Sequence, residues 1–445
     1  MDRWGSIALM LLAVAAAIRP PRRVPQWGVP VLCSLVALIG GITTGSSSGS
    51  ALHPLVQPVA FLLAAVPLAV MLDELGFFKA VASRITARGG GPGSLWALAA
   101  VVTTVLNLDA GVVLLTPLYI RIARQRGWDP LVLAAQPVLL ACLASSALPV
   151  SNLTNLIAVS WAGATTTQFV SHLALPSLAA CVIGWYFYRA FFVGRLVAST
   201  EGPPSSTVPA SARATATPAA GSLDDDRRAL RVGTPIVVCV LIGFVAGPFA
   251  GISPWAVALM ADAVLLALAW RRSVASPSVQ PSNPDSCGDP VNSAGSLRRA
   301  APWGSVPVGT AVMVFALGIL ATAVAAHLPT GALFRGGSVA DLARDTGVAA
   351  IGANVVNNLP ALLVALPKIG HHPVPALWAV LLGVNMGPVV LVTGSLASLL
   401  WMSALRRLNV GVSPRDFTRF GVVAGLPAAA GALGVSLCLR ALGLY

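Results

Sequence analysis

The sequence predicts an all-α integral membrane protein of about 10 transmembrane helices and two re-entrant helical hairpins, arranged as two inverted-topology repeats. Three observations support this fold class: an apolar composition, a biased distribution of basic residues, and two pairs of similar motifs in the same order. Of the 445 residues, 56% are hydrophobic and 10% are charged. Soluble domains carry roughly 25% charged residues, so the composition excludes a soluble fold.

Apolar stretches predict the membrane segments, and polar, Pro- and Ser-rich stretches predict the linkers. We expect a cytoplasmic disordered linker at 197–229 and a disordered loop at 274–298. The first linker separates a first predicted repeat, residues 1–196, from a second, residues 230–445. The predicted apolar segments are 5–19, 27–44, 54–73, 94–120, 130–161, 169–193, 231–247, 252–270, 304–327, 346–367, 374–402 and 418–442.

The basic residues predict the orientation and the hairpins, because cytoplasmic loops are enriched in Lys and Arg. A full crossing at 94–120 would place Arg84 and Arg88 on the opposite side from Arg121 and Arg124. If 94–120 and 346–367 instead return to their starting sides, nearly all of the 28 Lys and Arg residues are cytoplasmic. The distribution of basic residues therefore favours re-entrant hairpins. We expect the membrane to be the plasma membrane. The remaining basic residues are Arg3, Arg335, Arg344, Lys368 and Arg440.

Two motif pairs indicate an internal repeat. Asn107 precedes Pro117 by ten positions in one predicted hairpin, and Asn357 precedes Pro367 by ten positions in the other. The segment that starts at Ser151 also aligns with the segment that starts at Gly394. Because the first half starts outside and the second half starts inside, the repeats are predicted to be inverted.

The apolar segments 130–161 and 374–402 are too long for simple helices, and turn residues interrupt both of them. We interpret them as broken helices whose breaks meet the two hairpin turns near the middle of the membrane. Free peptide groups and helix ends at such turns can bind ions or a solute. The predicted binding residues are Asn107, Asp109, Ser151, Asn152, Thr154, Asn155, Asn357, Asn358, Asn385, Thr393, Gly394 and Ser395.

Asp109 is the predicted proton-coupling residue. Only Asp109 and Asp262 lie deep in apolar sequence among the 15 acidic residues. Burial disfavours the charged form of a carboxylate, so a buried acid can exchange protons near neutrality. Asp109 adjoins the predicted site, whereas nothing polar surrounds Asp262, for which a structural role is the simpler interpretation. Taken one at a time, the Asn, Ser and Thr residues have an alternative role, in which they only bond to backbone or pack helices together.

Other function classes receive little support. The net charge of +13 comes from loop residues without interleaved aromatics, which does not resemble a nucleic-acid-binding surface. The sequence contains neither an HExxH nor a Walker A motif, so a metalloprotease or a built-in ATPase is not indicated. We therefore predict no enzyme activity, no cofactor and no metal centre, with membrane lipid as the surrounding partner.

Four segments resemble the arsenite permease family of the ion transporter superfamily. They are the hairpin 106–120 (LNLDAGVVLLTPLYI), the segments 151–156 (SNLTNL) and 355–363 (VVNNLPALL), and the most specific, 383–401 (GVNMGPVVLVTGSLASLLW). The resemblance implies an antiporter that exports arsenite or antimonite with the proton gradient and confers arsenic resistance, in some cases with a soluble ATPase. Two positions depart from it: Val389 stands where a basic residue often occurs, and Asn385 where some members have Asp.

Three functions remain open at this point. The first is proton-coupled export of arsenite or antimonite, with Asp109 as the proton carrier. The second is sodium- or proton-coupled transport of an anion such as citrate or another dicarboxylate, although no Lys or Arg lies deep in an apolar segment to bind its charge. The third is a membrane subunit that partners a soluble ATPase.

Overall fold

A computed structural model describes residues 2–43, 49, 52–198, 220–275, 306–327, 334, 337–370 and 374–444. All regular structure in these residues is helical, which confirms the predicted all-α class. In the first half the helices are α1 (Asp2–Ile18), α2 (Gly28–Ile39), α3 (Val56–Glu74), α4 (Phe77–Ala87), α5 (Pro92–Leu106), α6 (Leu108–Arg126), α7 (Pro130–Leu143), α8 (Leu153–Ala162), α9 (Thr166–Tyr188) and α10 (Gly194–Ala198).

The second half is also helical. Its helices are α11 (Ala220–Ala246), α12 (Pro254–Ala275), α13 (Val308–His327), α14 (Val339–Val356), α15 (Asn358–Ile369), α16 (Pro375–Met386), α17 (Leu396–Arg407), α18 (Pro414–Phe420) and α19 (Leu426–Ala441). The π-helical turns Arg189–Val193 and Gly421–Gly425 lie within the last long helix of each half.

Within the residues that the structure describes, five helical stretches are long and apolar enough to cross a membrane, as a multi-pass membrane protein requires. Several shorter apolar helices accompany them, among them the parts of the hairpins and broken helices. The long stretches are His53–Glu74, Thr166–Leu196, Asp224–Ala250, Val308–His327 and Pro414–Ala441.

Helices α5 and α6 form the first hairpin, and Arg126 joins its two ends. The Arg126 guanidinium donates to the carbonyl oxygens of Gly90 and Thr86 at 2.9 and 2.8 Å, immediately before α5 begins. The two legs pack closely, because a Cβ on Gly111 would lie 3.1 Å from Oγ1 of Thr103. Both ends of the 94–120 segment therefore lie at one end of the bundle.

Helices α14 and α15 form the second hairpin, and each half also contains a broken helix. The first broken helix is α7, the 3-10 turn Pro149–Ser151 and α8. The second is α16, the 3-10 turns Gly387–Val389 and Val392–Gly394, and α17.

One hydrogen bond between hairpin and broken helix occurs at matched positions in both halves. Oγ1 of Thr104 donates to the carbonyl of Ala144 at 3.3 Å, and Nδ2 of Asn354 donates to the carbonyl of Gly387 at 2.8 Å. The two motif pairs align Thr104 with Asn354 and Ala144 with Gly387. The motif similarity is thus accompanied by a similar contact.

Three elements differ from the predicted boundaries. Helix α4 was not predicted; Phe77 and Phe78 bury one of its faces, and it packs against α11. Helix α11 begins at Ala220, inside the predicted linker 197–229, and acidic residues in its first two turns favour this helix start. Helix α14 begins seven residues before the predicted hairpin 346–367, because Ser338 and Asp341 form a capping box. The predicted loop 274–298 lies outside the described residues, except that α12 continues to Ala275.

Candidate functional site

Four helix starts from the two hairpins and the two broken helices line one cavity. They are the first residues of α6, α8, α15 and α17. The C-terminal end of α1, α3 and the N-terminal part of α13 complete the wall, and the cavity contains about 730 Å³ of empty space, part of it open to the surroundings. The predicted convergence of two hairpin turns and two helix breaks is present in the structure.

Asn107 and Asn357 make the same turn at the two hairpin tips. Their φ and ψ angles are 110° and 148° at Asn107 and 76° and 154° at Asn357, a positive-φ backbone that residues with a side chain rarely adopt. Each side chain caps the helix that follows: Oδ1 of Asn107 accepts from the Asp109 amide at 3.0 Å, and Oδ1 of Asn357 accepts from the Leu359 amide at 3.4 Å. Asn therefore provides both the turn and the cap.

Asn152 and Ser395 occupy corresponding positions in the broken helices. Their backbone angles are nearly identical, with φ and ψ of −149° and 140° at Asn152 and −144° and 145° at Ser395. Oδ1 of Asn152 accepts from the Thr154 amide at 3.2 Å, and Oγ of Ser395 accepts from the Ala397 amide at 3.1 Å. Each side chain satisfies one of the free backbone donors at its helix start.

Among the described residues, Asp109 is the one ionisable side chain in the cavity wall. The other polar side chains that the structure describes there are amides and hydroxyls, with no Lys or Arg. Within the described part of the chain, Oδ1 of Asp109 is buried and has no hydrogen-bond partner. Four helix starts direct their positive ends toward this space, so it favours electron-rich oxygen atoms and compensates a single carboxylate.

Behind the cavity, the buried amide of Asn385 joins the two broken helices. Its Oδ1 accepts from Nδ2 of Asn152 at 2.9 Å and from Oγ1 of Thr154 at 2.8 Å. Its Nδ2 donates to Oγ of Ser146 at 3.0 Å and to Oδ1 of Asn155 at 2.6 Å. All hydrogen-bonding groups of this side chain are occupied by protein partners, so Asn385 supports the wall and does not line the cavity.

The predicted binding residues divide into two groups. Six line the cavity, namely Asp109, Asn152, Thr154, Asn357, Asn358 and Ser395. Six do not, namely Asn107, Ser151, Asn155, Asn385, Thr393 and Gly394.

The residues outside the wall hold the turns in place. Oγ of Ser151 donates to the Thr104 carbonyl at 2.6 Å, and Nδ2 of Asn155 donates to the Ser145 carbonyl at 2.6 Å. Oγ1 of Thr393 donates to the Asn354 carbonyl at 3.3 Å. Gly394 is packed against Pro388, where a Cβ would lie 2.8 Å from the proline Cα. These contacts support the fold rather than bind a solute, because the polar side chains donate to backbone carbonyl groups.

Two polar residues of the wall, Gln26 and Thr310, were not predicted from the sequence. Nε2 of Gln26 donates to the Ala17 carbonyl at 2.7 Å, and Thr310 lies in the first turn of α13. No sequence pattern marks either residue as part of a site, since Gln26 lies in the loop between α1 and α2 and Thr310 is a single hydroxyl in an apolar helix. Their place in the wall depends on tertiary packing alone.

Asp262 and Val389 lie away from the cavity. Asp262 is in α12, which packs against α3, and the residue is 6% exposed. Val389 is 1% exposed and lies against Gly421 and Gly425, where a side chain on either glycine would collide with it. Val389, which stands where the arsenite permease pattern often has a basic residue, is thus enclosed by these two glycines.

A helical membrane protein with paired hairpins and broken helices around one cavity, which polar side chains line beside an apolar majority, is organised as a membrane transporter. Comparison with known proteins agrees, because residues 1–383 match the family described as citrate transporter. The chain belongs to this family.

Relatives along almost the whole chain carry a different description. An arsenical pump membrane protein of Yersinia enterocolitica is 25% identical over 437 residues, which cover 94% of this chain and 95% of the relative. The arsenical pump membrane protein of Escherichia coli K12 is 23% identical over 94% of this chain and 95% of its own length. A putative arsenical pump membrane protein of Bacillus subtilis is 23% identical over 88% of both chains.

Proposed function

We propose that this protein is a secondary active transporter that exports arsenite or antimonite across the plasma membrane in exchange for protons. The observation that carries the proposal is Asp109, a carboxylate with a buried and unpartnered oxygen in a cavity wall of otherwise uncharged groups. A neutral trihydroxide needs hydrogen-bond donors and acceptors but no countercharge, and the amides and hydroxyls of the wall provide both.

In this mechanism Asn152, Asn357, Asn358, Thr154 and Ser395 bind the hydroxyl groups of the solute, together with free amides at the four helix starts. Asp109 binds a proton in one orientation of the transporter and releases it in the other. The Asn107 side chain and Asn385 hold the helix starts in position without contacting the solute. The inverted relationship of the two halves, supported by the matched contacts of Thr104 and Asn354, would provide the alternating access.

The position of two lining residues supports binding of the solute from the cytoplasm. Gln26 lies beyond the C-terminal end of α1 and Thr310 lies at the beginning of α13, and both positions are cytoplasmic in the orientation that the charge bias predicts. An exporter takes up its substrate on that side. The same orientation places the central linker in the cytoplasm.

Transport of an anion such as citrate is the second candidate, and the family description favours it. Four helix starts could bind a carboxylate with backbone donors, and sodium or protons could drive the uptake. The wall offers no Lys or Arg for the two or three charges of such a substrate, and Asp109 would repel them. A solute without charge therefore fits the cavity better.

A third candidate is a membrane subunit that works with a soluble ATPase, as the word pump in the names of the relatives suggests. In the proposed mechanism the chain transports without ATP. Purified chain in liposomes with an imposed proton gradient and no nucleotide separates these two possibilities.

Everted membrane vesicles from a bacterium that lacks its own arsenite exporters test the proposal. Vesicles containing this chain should accumulate As(III) when a proton gradient is present, and a protonophore should abolish the accumulation. Citrate should neither accumulate nor compete. Sodium-dependent citrate uptake without As(III) transport would instead establish the second candidate.

A further inference from the structure

A second cavity lies at the other end of α6, away from the transport cavity. It contains about 640 Å³ of empty space, largely open to the surroundings, between the last turns of α6 and the segment that follows α17. In the predicted orientation this is the cytoplasmic surface of the membrane. The lining residues are Pro117, Ile120, Arg121, Arg124, Gln125 and Leu408.

The polar side of this cavity carries unused hydrogen-bond donors. One nitrogen of Arg124 donates to the Leu408 carbonyl at 2.6 Å, which connects α6 with the end of α17. Within the part of the chain that the structure describes, neither Arg121 nor Gln125 makes a side-chain hydrogen bond or an ion pair. A guanidinium and an amide are therefore available for a ligand beside the remaining donors of Arg124.

The electrostatic balance around the cavity is positive. Arg406 and Arg407 are exposed in the last turn of α17, next to Leu408. The charges of Asp73, at the end of α3, and Arg121 interact, but among the described residues the two form no ion pair. Arg121 and Arg124 line the cavity, and Arg406 and Arg407 adjoin its lining residue Leu408, whereas the nearby carboxylates are Asp73 and Glu74; the balance favours an anionic group with several acceptor oxygens.

The other side of the cavity is apolar. Pro117 and Ile120 lie one turn deeper along α6 than Arg121 and Arg124, and Leu408 closes the opposite side. Basic groups at the surface with an apolar wall toward the membrane interior match a lipid, whose phosphate lies in the interface and whose chains run inward. Inorganic phosphate would use the basic groups but would leave the apolar wall uncovered.

We propose that this cavity binds the phosphate group of an anionic phospholipid. Arg121 and Gln125 bind the phosphate oxygens together with the free nitrogen of Arg124, and the first part of an acyl chain lies between Pro117 and Leu408, which are both partly exposed. Because Arg124 also bonds to the segment after α17, the lipid connects the first hairpin with the second broken helix. Binding of the lipid therefore stabilises the folded protein.

Thermal unfolding of the purified full-length chain tests this proposal. Delipidated protein is compared in micelles containing phosphatidylcholine alone or phosphatidylcholine with phosphatidylglycerol. Phosphatidylglycerol should raise the Tm of wild type, and Arg121→Gln should lose at least half of this increase. Arg121→Lys, which keeps the charge but not the planar guanidinium, should retain an intermediate increase.

Arg88→Gln is the matched control, because Arg88 is exposed on the same predicted side but does not line the cavity. It should show the full wild-type increase. The proposal is overturned if Arg121→Gln keeps the full increase, or if Arg88→Gln loses as much as Arg121→Gln, which would indicate a general charge effect. Inorganic phosphate at equal phosphate concentration should leave the Tm unchanged; an increase equal to that of the lipid would assign the cavity to free phosphate.

Discussion

Nδ2 of Asn152 donates to Oδ1 of Asn385 at 2.9 Å, and this bond joins the two broken helices across the boundary between the halves. Both residues are buried, at 3% and 2% exposure. Asn152 has a second function, because its own Oδ1 caps α8 at the edge of the transport cavity. The wall of the cavity and the interface between the halves thus share one side chain.

Replacement of Asn385 should lower the stability of the protein more than the loss of one small side chain would suggest. In Asn385→Leu, the buried groups of Asn152, Thr154, Ser146 and Asn155 each lose a partner, and an unsatisfied buried polar group costs about 1–3 kcal/mol. We expect a large fall in melting temperature in detergent. Ser403→Ala, which removes an exposed hydroxyl bonded within its own helix, should melt like wild type. Equal melting of the two variants would show that the network contributes little.

The hairpin tips predict a specific order among Asn107 variants. Both Asn107→Gly and Asn107→Ala lose the cap of α6, but only Gly removes the Cβ that Asn and Ala hold at a φ of 110°, a strain of about 1–3 kcal/mol. The Ala variant should therefore melt below the Gly variant. Asn152 is the control: it caps a helix from an extended backbone without this strain, so its Ala and Gly variants should differ in melting temperature less than the two variants of Asn107. An Ala variant at position 107 that is as stable as the Gly variant would contradict the turn geometry.

The first hairpin predicts which positions share a side of the membrane. Single cysteines at Arg88 and Gln125, introduced into a cysteine-free chain, should both react with an impermeant thiol reagent from the cytoplasmic side. A cysteine at Ala164, beyond the first broken helix, should react only from the outside. If positions 88 and 125 react from opposite sides, the 94–120 segment crosses the membrane.

The glycine at position 421 should tolerate no side chain. A Cβ there would collide with the Val389 carbonyl in the second broken helix, so Gly421→Ala must displace one of the two segments, at a cost of about 1–3 kcal/mol. Gly434→Ala is the matched control in the same helical region, because nothing lies within 4 Å of its added Cβ. Melting of both variants at the wild-type temperature would show that the contact is loose.

Much of this fold could be predicted from the sequence because it depends on features that can be read along the chain, without knowledge of tertiary contacts. Apolar length gives the helices, basic loops give the hairpin at 94–120, and the repeated Asn-to-Pro spacing identifies both hairpin tips. Helix α4 was missed because its short face of Phe77 and Phe78 follows the acidic end of α3 and carries no long apolar run. The start of α14 was missed because its Ser338–Asp341 capping box precedes a polar turn.

The site was predicted at the level of segments but not of single side chains. Polar residues at helix breaks indicate where a cavity forms, yet they do not show which of them point into it. Asn152 and Asn155 belong to the same short motif, and only Asn152 lines the wall, because α8 turns the Asn155 side chain back toward Ser145. Gln26 and Thr310 come from helices outside both motifs, so only tertiary packing brings them to the cavity.

The central claim is that Asp109 couples protons to transport, and proton flux in liposomes tests it most directly. Liposomes containing purified chain are loaded with As(III) and diluted into As(III)-free buffer, and the internal pH is followed with a trapped dye. Wild type should acidify the interior as As(III) leaves, because each exported solute exchanges for protons. Asp262→Asn is the matched control, since Asp262 also has a buried oxygen without a partner in the described chain but lies outside the cavity. It should acidify the interior like wild type, whereas Asp109→Asn should not; acidification at the wild-type rate by Asp109→Asn would contradict the account.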